Sequence, residues 1–299
     1  MEHNQIIKAI AEVGCRVCEA EPMAAHTTFR IGGAAEVFAA AETTEQAAAR
    51  VRLCRKEGVP LLVVGNGSNL LVSDNGIRGV VLHLASSNIT VSGNTVTAAA
   101  GVQLAKLCNA ACEASLAGLE FAFGIPGTVG GGVYMNAGAY GGQLSDVLRS
   151  VTAVTPCGEV VTMTAEELKL GYRHSVFMEN GYIITEATME LAVGDTAAIR
   201  EAMNEYMARR RDKQPLEYPS GGSFFKRPEG YFAGALIEQC GLKGFTVGGA
   251  QVSEKHAGFV INRGGATCAD VMALSDAVTQ RVKERFGVVL EREVQLVGG

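Results

Sequence analysis

The sequence predicts an α+β protein. Helical and strand-like segments mix without the sustained strand–helix–strand rhythm of a doubly wound sheet. Several strand-like runs are joined by tight turns, which make antiparallel hairpins. Hydrophobic residues are 47% and charged residues 19% of 299, a globular balance with chain enough for more than one core.

The elements follow in order. Thr43 and Gln46 form a capping box, and Gly58 stops the helix that the spacing predicts over 44–57. Pro60 to Val64 is a short apolar run, read as a buried strand. Residues 89–99 read as a hairpin turning at Ser92-Gly93-Asn94. Gln103 to Ala117 is a helix with Leu104, Leu107, Cys108, Ala111 and Ser115 on one face and Gly118 as its stop. A second hairpin covers 151–163 and turns at Pro156-Cys157-Gly158. Thr164 and Glu167 repeat the capping-box pattern and open a short helix to Gly171. Asp195 caps a helix to Arg211, with Ile199, Met203 and Tyr206 as its apolar stripe. Lys213 to Pro219 is too proline-rich for helix and connects to a region of different character. There a short helix covers Tyr231 to Gln239 and a strongly periodic one Thr267 to Phe286, stopped by Gly287. Val288 to Val297 is a closing strand. The domain division this gives is 1–85, 86–200 and 201–299.

Composition excludes several roles. The net charge of −5 disfavours nucleic acid as a partner, which would call for a large basic surface. The first 18 residues carry Glu2, Lys8, Glu12 and Arg16 with no long apolar run, so no signal peptide is expected. Residues 121–142 lack charge, yet their glycines and Pro126 break any spanning helix, so no membrane partner is expected. Of eight cysteines only Cys15 and Cys18 have metal spacing, and no second pair completes a site. The expectation is no metal and reduced thiols in a cytoplasmic protein.

Glycine is the outlier, with 37 residues against a usual ~7%. They cluster where polar backbone can approach a ligand. Gly65-Asn66-Gly67-Ser68-Asn69 follows the strand at 60–64, and its amides suit a phosphate. It departs from the dinucleotide fingerprint, because Leu70 stands at the third glycine position and no helix follows. Taken alone, a plain turn is as good a reading. Gly124 to Gly132 and Asn136 to Gly142 add two more such loops, and three together point to a large ligand with a diphosphate. A fourth cluster, Gly221-Gly222-Ser223-Phe224-Phe225-Lys226, exposes Ser223 but lacks the hydrolase elbow, and a turn hydroxyl is the bland alternative. Tyr172-Arg173 follows Gly171. In the closing strand Glu293 shares a face with Glu291 and Gln295, which from pattern alone reads as a solvent-facing carboxylate.

In order along the chain stand His26 to Gly33, Val64 to Val72, Gly124 to Gly131, Asn136 to Gly141, Gly171-Tyr172-Arg173, Gly222 to Lys226, Val252 to Phe259 and Glu293-Val294. This ordered set resembles the UDP-N-acetylenolpyruvoylglucosamine reductases, FAD enzymes of peptidoglycan synthesis. The first three blocks are shared more loosely with other flavoproteins of the vanillyl-alcohol-oxidase fold, and the last four select the reductase. The resemblance implies two α+β lobes that hold FAD between them and a C-terminal α+β lobe that brings substrate over the flavin. It implies cofactor binding by Gly65, Asn66, Gly67, Ser68, Asn69, Pro126, Gly127, Thr128, Gly130, Gly131, Asn136 and Gly138. NADPH is the implied hydride donor and UDP-N-acetylglucosamine enolpyruvate the substrate. Arg173 and Glu293 match the residues that stabilise an enolate-like intermediate, and Ser223 matches the proton donor. Tyr140 and Lys213 match residues near the nucleotide or NADPH phosphates, and Tyr172 is implied as a further substrate contact. Arg227, together with the short connection from Arg173 to Asp195, resembles the subgroup that lacks an inserted tyrosine-bearing loop, with Arg227 on the diphosphate. Oligomeric state is not legible, and a monomer is the default. An FAD oxidase of the same fold and a non-catalytic nucleotide-sugar binder are the competing readings.

Overall fold

The computed structural model describes residues 17–299. These divide into two units. The first takes residues 17–19, Val37–Asn66 and Gly79–Arg209; the second takes Ala20–Glu36, Gly67–Arg78 and Arg210–Gly299. The second unit thus draws on two segments far upstream of its main stretch, which a division read linearly along the sequence does not contain.

In the first unit, helix α1 (Thr44–Glu57) starts where Thr43 accepts the Gln46 N–H at 3.2 Å and ends on Gly58 at φ 66°. The strand Leu61–Val64 runs parallel to Val80–His83. A five-stranded antiparallel sheet follows, in the order Val160–Thr164, Leu148–Val154, Ile183–Glu190, Thr95–Ala99, Ile89–Ser92. Both predicted hairpins are in it. Against this sheet lie α1, α2 (Leu104–Glu113) and α3 (Val129–Tyr134); α4 (Phe177–Asn180) and α5 (Thr196–Lys213) are the remaining helices, and the shared core contains Val96, Leu104, Leu107, Val151, Ala187 and Met203. Each large aliphatic side chain buried there contributes about 1.5–3 kcal/mol.

The second unit has a four-stranded sheet in the order Ser220–Ser223, Phe259–Asn262, Ala250–Val252, Thr246–Val247. Helices α6 (Ala233–Gln239) and α7 (Cys268–Phe286) cover it, around Phe29, Phe224, Leu236, Val260, Val271 and Leu274. The start of α7 is heavily satisfied. Thr267 and Asp270 form a capping box, and the Asp74 carboxylate accepts the Cys268 and Ala269 N–H groups at 2.8 and 3.0 Å.

Three expected elements differ. The helix from Gln103 stops at Glu113, not Ala117, because Ser115 takes φ 58° and Leu116–Ala117 pairs with Ala192–Val193. The helix expected after Thr164 is a set of turns. Glu167 does accept the Thr164 N–H at 2.7 Å, but Lys169 at φ 47° halts the coil. The closing strand shrinks to Gln295–Val297, paired in parallel with Leu70–Val72.

Cys18, Cys54, Cys108, Cys112, Cys157, Cys240 and Cys268 are free thiols, and burial pushes the Cys108 thiol up to about 12. Cys15, the other half of the only metal-like pair, lies outside the described residues. Among the described residues no cluster of metal ligands forms, and no helix is long and apolar enough to cross a membrane.

Candidate active site

In the first unit the strand Leu61–Val64 delivers Gly65-Asn66 to the loop that precedes α3. Asn66 Nδ2 donates to Pro126 O at 2.7 Å. Any Cβ at Gly65 would collide with Thr128 Oγ1. Two polar loops are thereby held at backbone distance. The backbone amides of Asn66, Gly127 and Thr128 meet no acceptor among the described residues. Three such donors, with a glycine that keeps the approach open, fit the diphosphate of FAD.

Four residues expected at the cofactor have other occupations. Gly130 gives its amide to Ala100 O at 2.9 Å, and a Cβ there would stand 2.8 Å from Ala100 Cβ. Gly131 donates to Thr128 Oγ1 at 3.4 Å, which caps α3. The Asn69 and Asn136 side chains bind other parts of the protein, as described below. Gly67 also has a structural reason. At φ 57° it lies so close to His26 O that no side chain fits, and its carbonyl accepts from Thr28 and Leu70 at 3.4 Å.

The first unit also carries Arg173. Gly171 and His174 exchange backbone hydrogen bonds of 3.1 and 3.3 Å around Tyr172-Arg173. Arg173 sits at φ 53°, a conformation costly for a non-glycine residue. Its Nη2 donates to Gly138 O at 3.2 Å, and its guanidinium lies 5.2 Å from the centre of the exposed Tyr172 ring. Tyr140, at φ 54°, stacks on Tyr206 of α5 with ring centres 4.7 Å apart and 3° between planes.

The second unit holds Ser223 and Glu293, with Phe224, the residue after Ser223, opposite Glu293 in a short antiparallel pairing. Glu293 N–H donates to Phe224 O at 2.8 Å, and Lys226 N–H to Glu291 O at 2.8 Å. Phe225 and Arg292 face each other between them. Asn69 Nδ2 donates to Glu293 O at 3.0 Å, and Gln295 N–H to Asn69 O at 2.9 Å. Glu293, expected to face solvent, is instead half-buried beside the buried Val294 and is fixed at its backbone on both sides, while Leu296 is exposed. Ser223 is exposed, while Phe224 and Phe225 bury beneath it. Gly222 at φ 80° makes the bend before it. Arg227 lies 3.9 Å over the exposed Phe232 ring, and Lys213 is exposed at the end of α5.

Two contributors were missed by sequence reasoning. Thr28 Oγ1 donates to Ser220 O at 2.7 Å and anchors the strand that carries Ser223. His256 Nδ1 accepts the Gly258 N–H at 3.1 Å, and Gly258 O in turn accepts Phe224 N–H at 2.9 Å. His256 lay within a quoted block, but its histidine gave no sign of which atom it would serve. Nδ1 must be unprotonated to accept, so the ring is neutral. Burial, the largest cause, holds its pKa below the ordinary 6.5. As pH falls through 6.5 the unfolded chain takes up a proton that the folded chain refuses, so stability is lost from there downward until the folded pKa is reached. Urea midpoints should fall between pH 7.5 and 5, and less steeply in His256→Gln. An unchanged slope in that variant would refute the assignment.

Comparison with known proteins agrees with this geometry. Residues 35–164 match the FAD binding domain family, and residues 214–297 match the UDP-N-acetylenolpyruvoylglucosamine reductase C-terminal domain. The chain is 50% identical to the UDP-N-acetylenolpyruvoylglucosamine reductase of Clostridium perfringens over 278 residues, 93% of this chain and 91% of that one. It is 50% identical to the protein of the same name from Syntrophomonas wolfei over 280 residues, 93% and 94% of the two chains. The crystal structure of the Thermus caldophilus reductase superposes with a TM-score of 0.80 at 35% identity, covering 94% of this chain and 98% of that one.

Proposed function

The chain belongs to the UDP-N-acetylenolpyruvoylglucosamine reductase family, and from that premise we propose how its residues divide the reaction. The enzyme is an FAD- and NADPH-dependent oxidoreductase that reduces UDP-N-acetylglucosamine enolpyruvate to UDP-N-acetylmuramate for peptidoglycan. Bound FAD would supply the hydride chemistry between NADPH and the enolpyruvyl methylene carbon. Asn66, Gly127 and Thr128 hold the FAD diphosphate through their backbone amides, with Gly65, Pro126 and Asn66 shaping the cradle.

As the methylene carbon gains its hydrogen, the electron pair of the double bond moves toward the substrate carboxylate. The Arg173 guanidinium and the Glu293 carboxyl stabilise that growing charge. Ser223 Oγ–H gives its proton to the adjacent carbon, which completes the saturated lactyl ether, and the exposed serine regains a proton from water. The observation that supports this reading is the backbone bond from Glu293 N–H to Phe224 O, which brings Glu293 opposite the residue that follows Ser223. A serine is a weak acid, so it serves only where its geometry is fixed, and the backbone just after it is held by Phe224 bonds to Gly258 and Glu293. Tyr140, Tyr172, Lys213 and Arg227 contact the nucleotide phosphates, for which the Arg227 fork is well suited. Both substrates are soluble nucleotides, which favours a cytoplasmic enzyme; no assigned role needs a second copy, which favours a monomer.

The test is the visible spectrum of the purified protein under anaerobic conditions. NADPH should bleach the flavin bands, and the enolpyruvyl nucleotide should restore them. Bands restored only by oxygen would make the protein an oxidase. A colourless protein that stays colourless when FAD is supplied would overturn the reading of the two loops.

A further inference from the structure

We infer that Asn136 is a positioning residue for Arg173. Asn136 is 1% exposed and at φ 42°, a left-handed conformation that asparagine tolerates better than other side chains. Its amide works in both directions. Nδ2 donates to Gly171 O at 3.0 Å, with Ser145 Oγ and Gln143 Oε1 at 3.4 and 3.3 Å. Oδ1 accepts the Ser145 N–H at 2.9 Å.

Gly171 opens the turn that holds Arg173 in its strained backbone conformation, and Gly138, which receives the Arg173 guanidinium, lies two residues beyond Asn136. The backbone base of Arg173 and the acceptor for its side chain thus share one buried anchor. Ser175, 0% exposed, closes the other side of the turn by donating to Tyr134 O at 2.7 Å. With an amide at 136, the turn and the acceptor are held in register. Without it, Gly171 O and Ser145 N–H lose buried partners and the guanidinium loses its fixed aim.

This rests on the role assigned to Arg173 above, and the experiment separates the two. Rapid-mixing kinetics would follow each half-reaction in Asn136→Ala, Arg173→Ala and the double variant, with FAD affinity measured in each. Expected are an unchanged rate of flavin reduction by NADPH, unchanged FAD affinity, and a slowing of reoxidation by the enolpyruvyl nucleotide on the order of 10²-fold in Asn136→Ala. In the Arg173→Ala background the same change should add almost nothing. Equal slowing in both backgrounds would overturn the inference while leaving Arg173 in its role. Lost FAD affinity with both half-reactions impaired would overturn it in favour of a flavin ligand. Normal reoxidation in Arg173→Ala would overturn the role of Arg173 and this inference with it. Should Asn136→Ala fail to fold, Asn136→Asp keeps the size and the left-handed backbone while removing the donor to Gly171 O, and the same cycle applies.

Discussion

Ser223→Ala is expected to leave flavin reduction by NADPH at its normal rate and to slow reoxidation by the enolpyruvyl nucleotide by about 10²–10⁴-fold, the range for a lost general acid. The substitution removes one hydroxyl from an exposed position, while the backbone bonds of the strand and the burial of Phe224 and Phe225 stay as they are. Stability should therefore change little. Single-turnover absorbance at the flavin band reads both steps separately. Normal turnover in Ser223→Ala would remove the serine from the mechanism.

Gly65→Ala is expected to yield a protein that has lost most of its FAD. The new methyl group would meet Thr128 Oγ1, and relief requires either the hydroxyl or the strand end to move. If the hydroxyl moves, the cap on Gly131 goes; if the strand moves, the Asn66–Pro126 bond goes. Overpacking of this kind costs about 1–3 kcal/mol. Placed on the cofactor cradle, that is about 5- to 150-fold in FAD affinity. Titration of the apoprotein with FAD, followed by flavin fluorescence, measures it. Full affinity in Gly65→Ala would mean the diphosphate is held elsewhere.

The sequence was most legible where one local rule acted alone. Thr43 with Gln46, Gly58, Thr267 and Gly287 each announce a helix end, and each end forms. It was least legible where a distant partner overrides the local pattern. The capping pattern at Thr164 forms half of its box, yet Ala165 N–H goes to Arg149 O and the chain turns instead. Val288 to Val297 reads as one strand, but only Gln295–Val297 pairs as a strand, with Leu70–Val72, while Arg292 makes an isolated bridge to Phe225. Composition identified the glycine loops as ligand-shaped without separating two uses of glycine. Gly65 keeps an approach open, whereas Gly130 exists to let α3 lie against Ala100. The same limit applied to Asn69 and Asn136, whose residue type suits a ligand as well as a buried backbone bridge. Asn69 Nδ2 donates to Glu293 O and Asn136 Nδ2 to Gly171 O.

The second unit has a consequence for the order of its making. Phe29, fully buried, packs edge-on against Phe224 with ring centres 6.3 Å apart, and Leu70–Val72 pairs with Gln295–Val297. On a ribosome adding about 5–20 residues per second, Phe29 emerges on the order of 10–40 s before Phe224 exists. For most of that interval the first unit is itself still being made, since it runs to Arg209, and the segments at 20–36 and 67–78 wait uncovered, so nascent chains are exposed to aggregation and to holding chaperones until the last strand arrives.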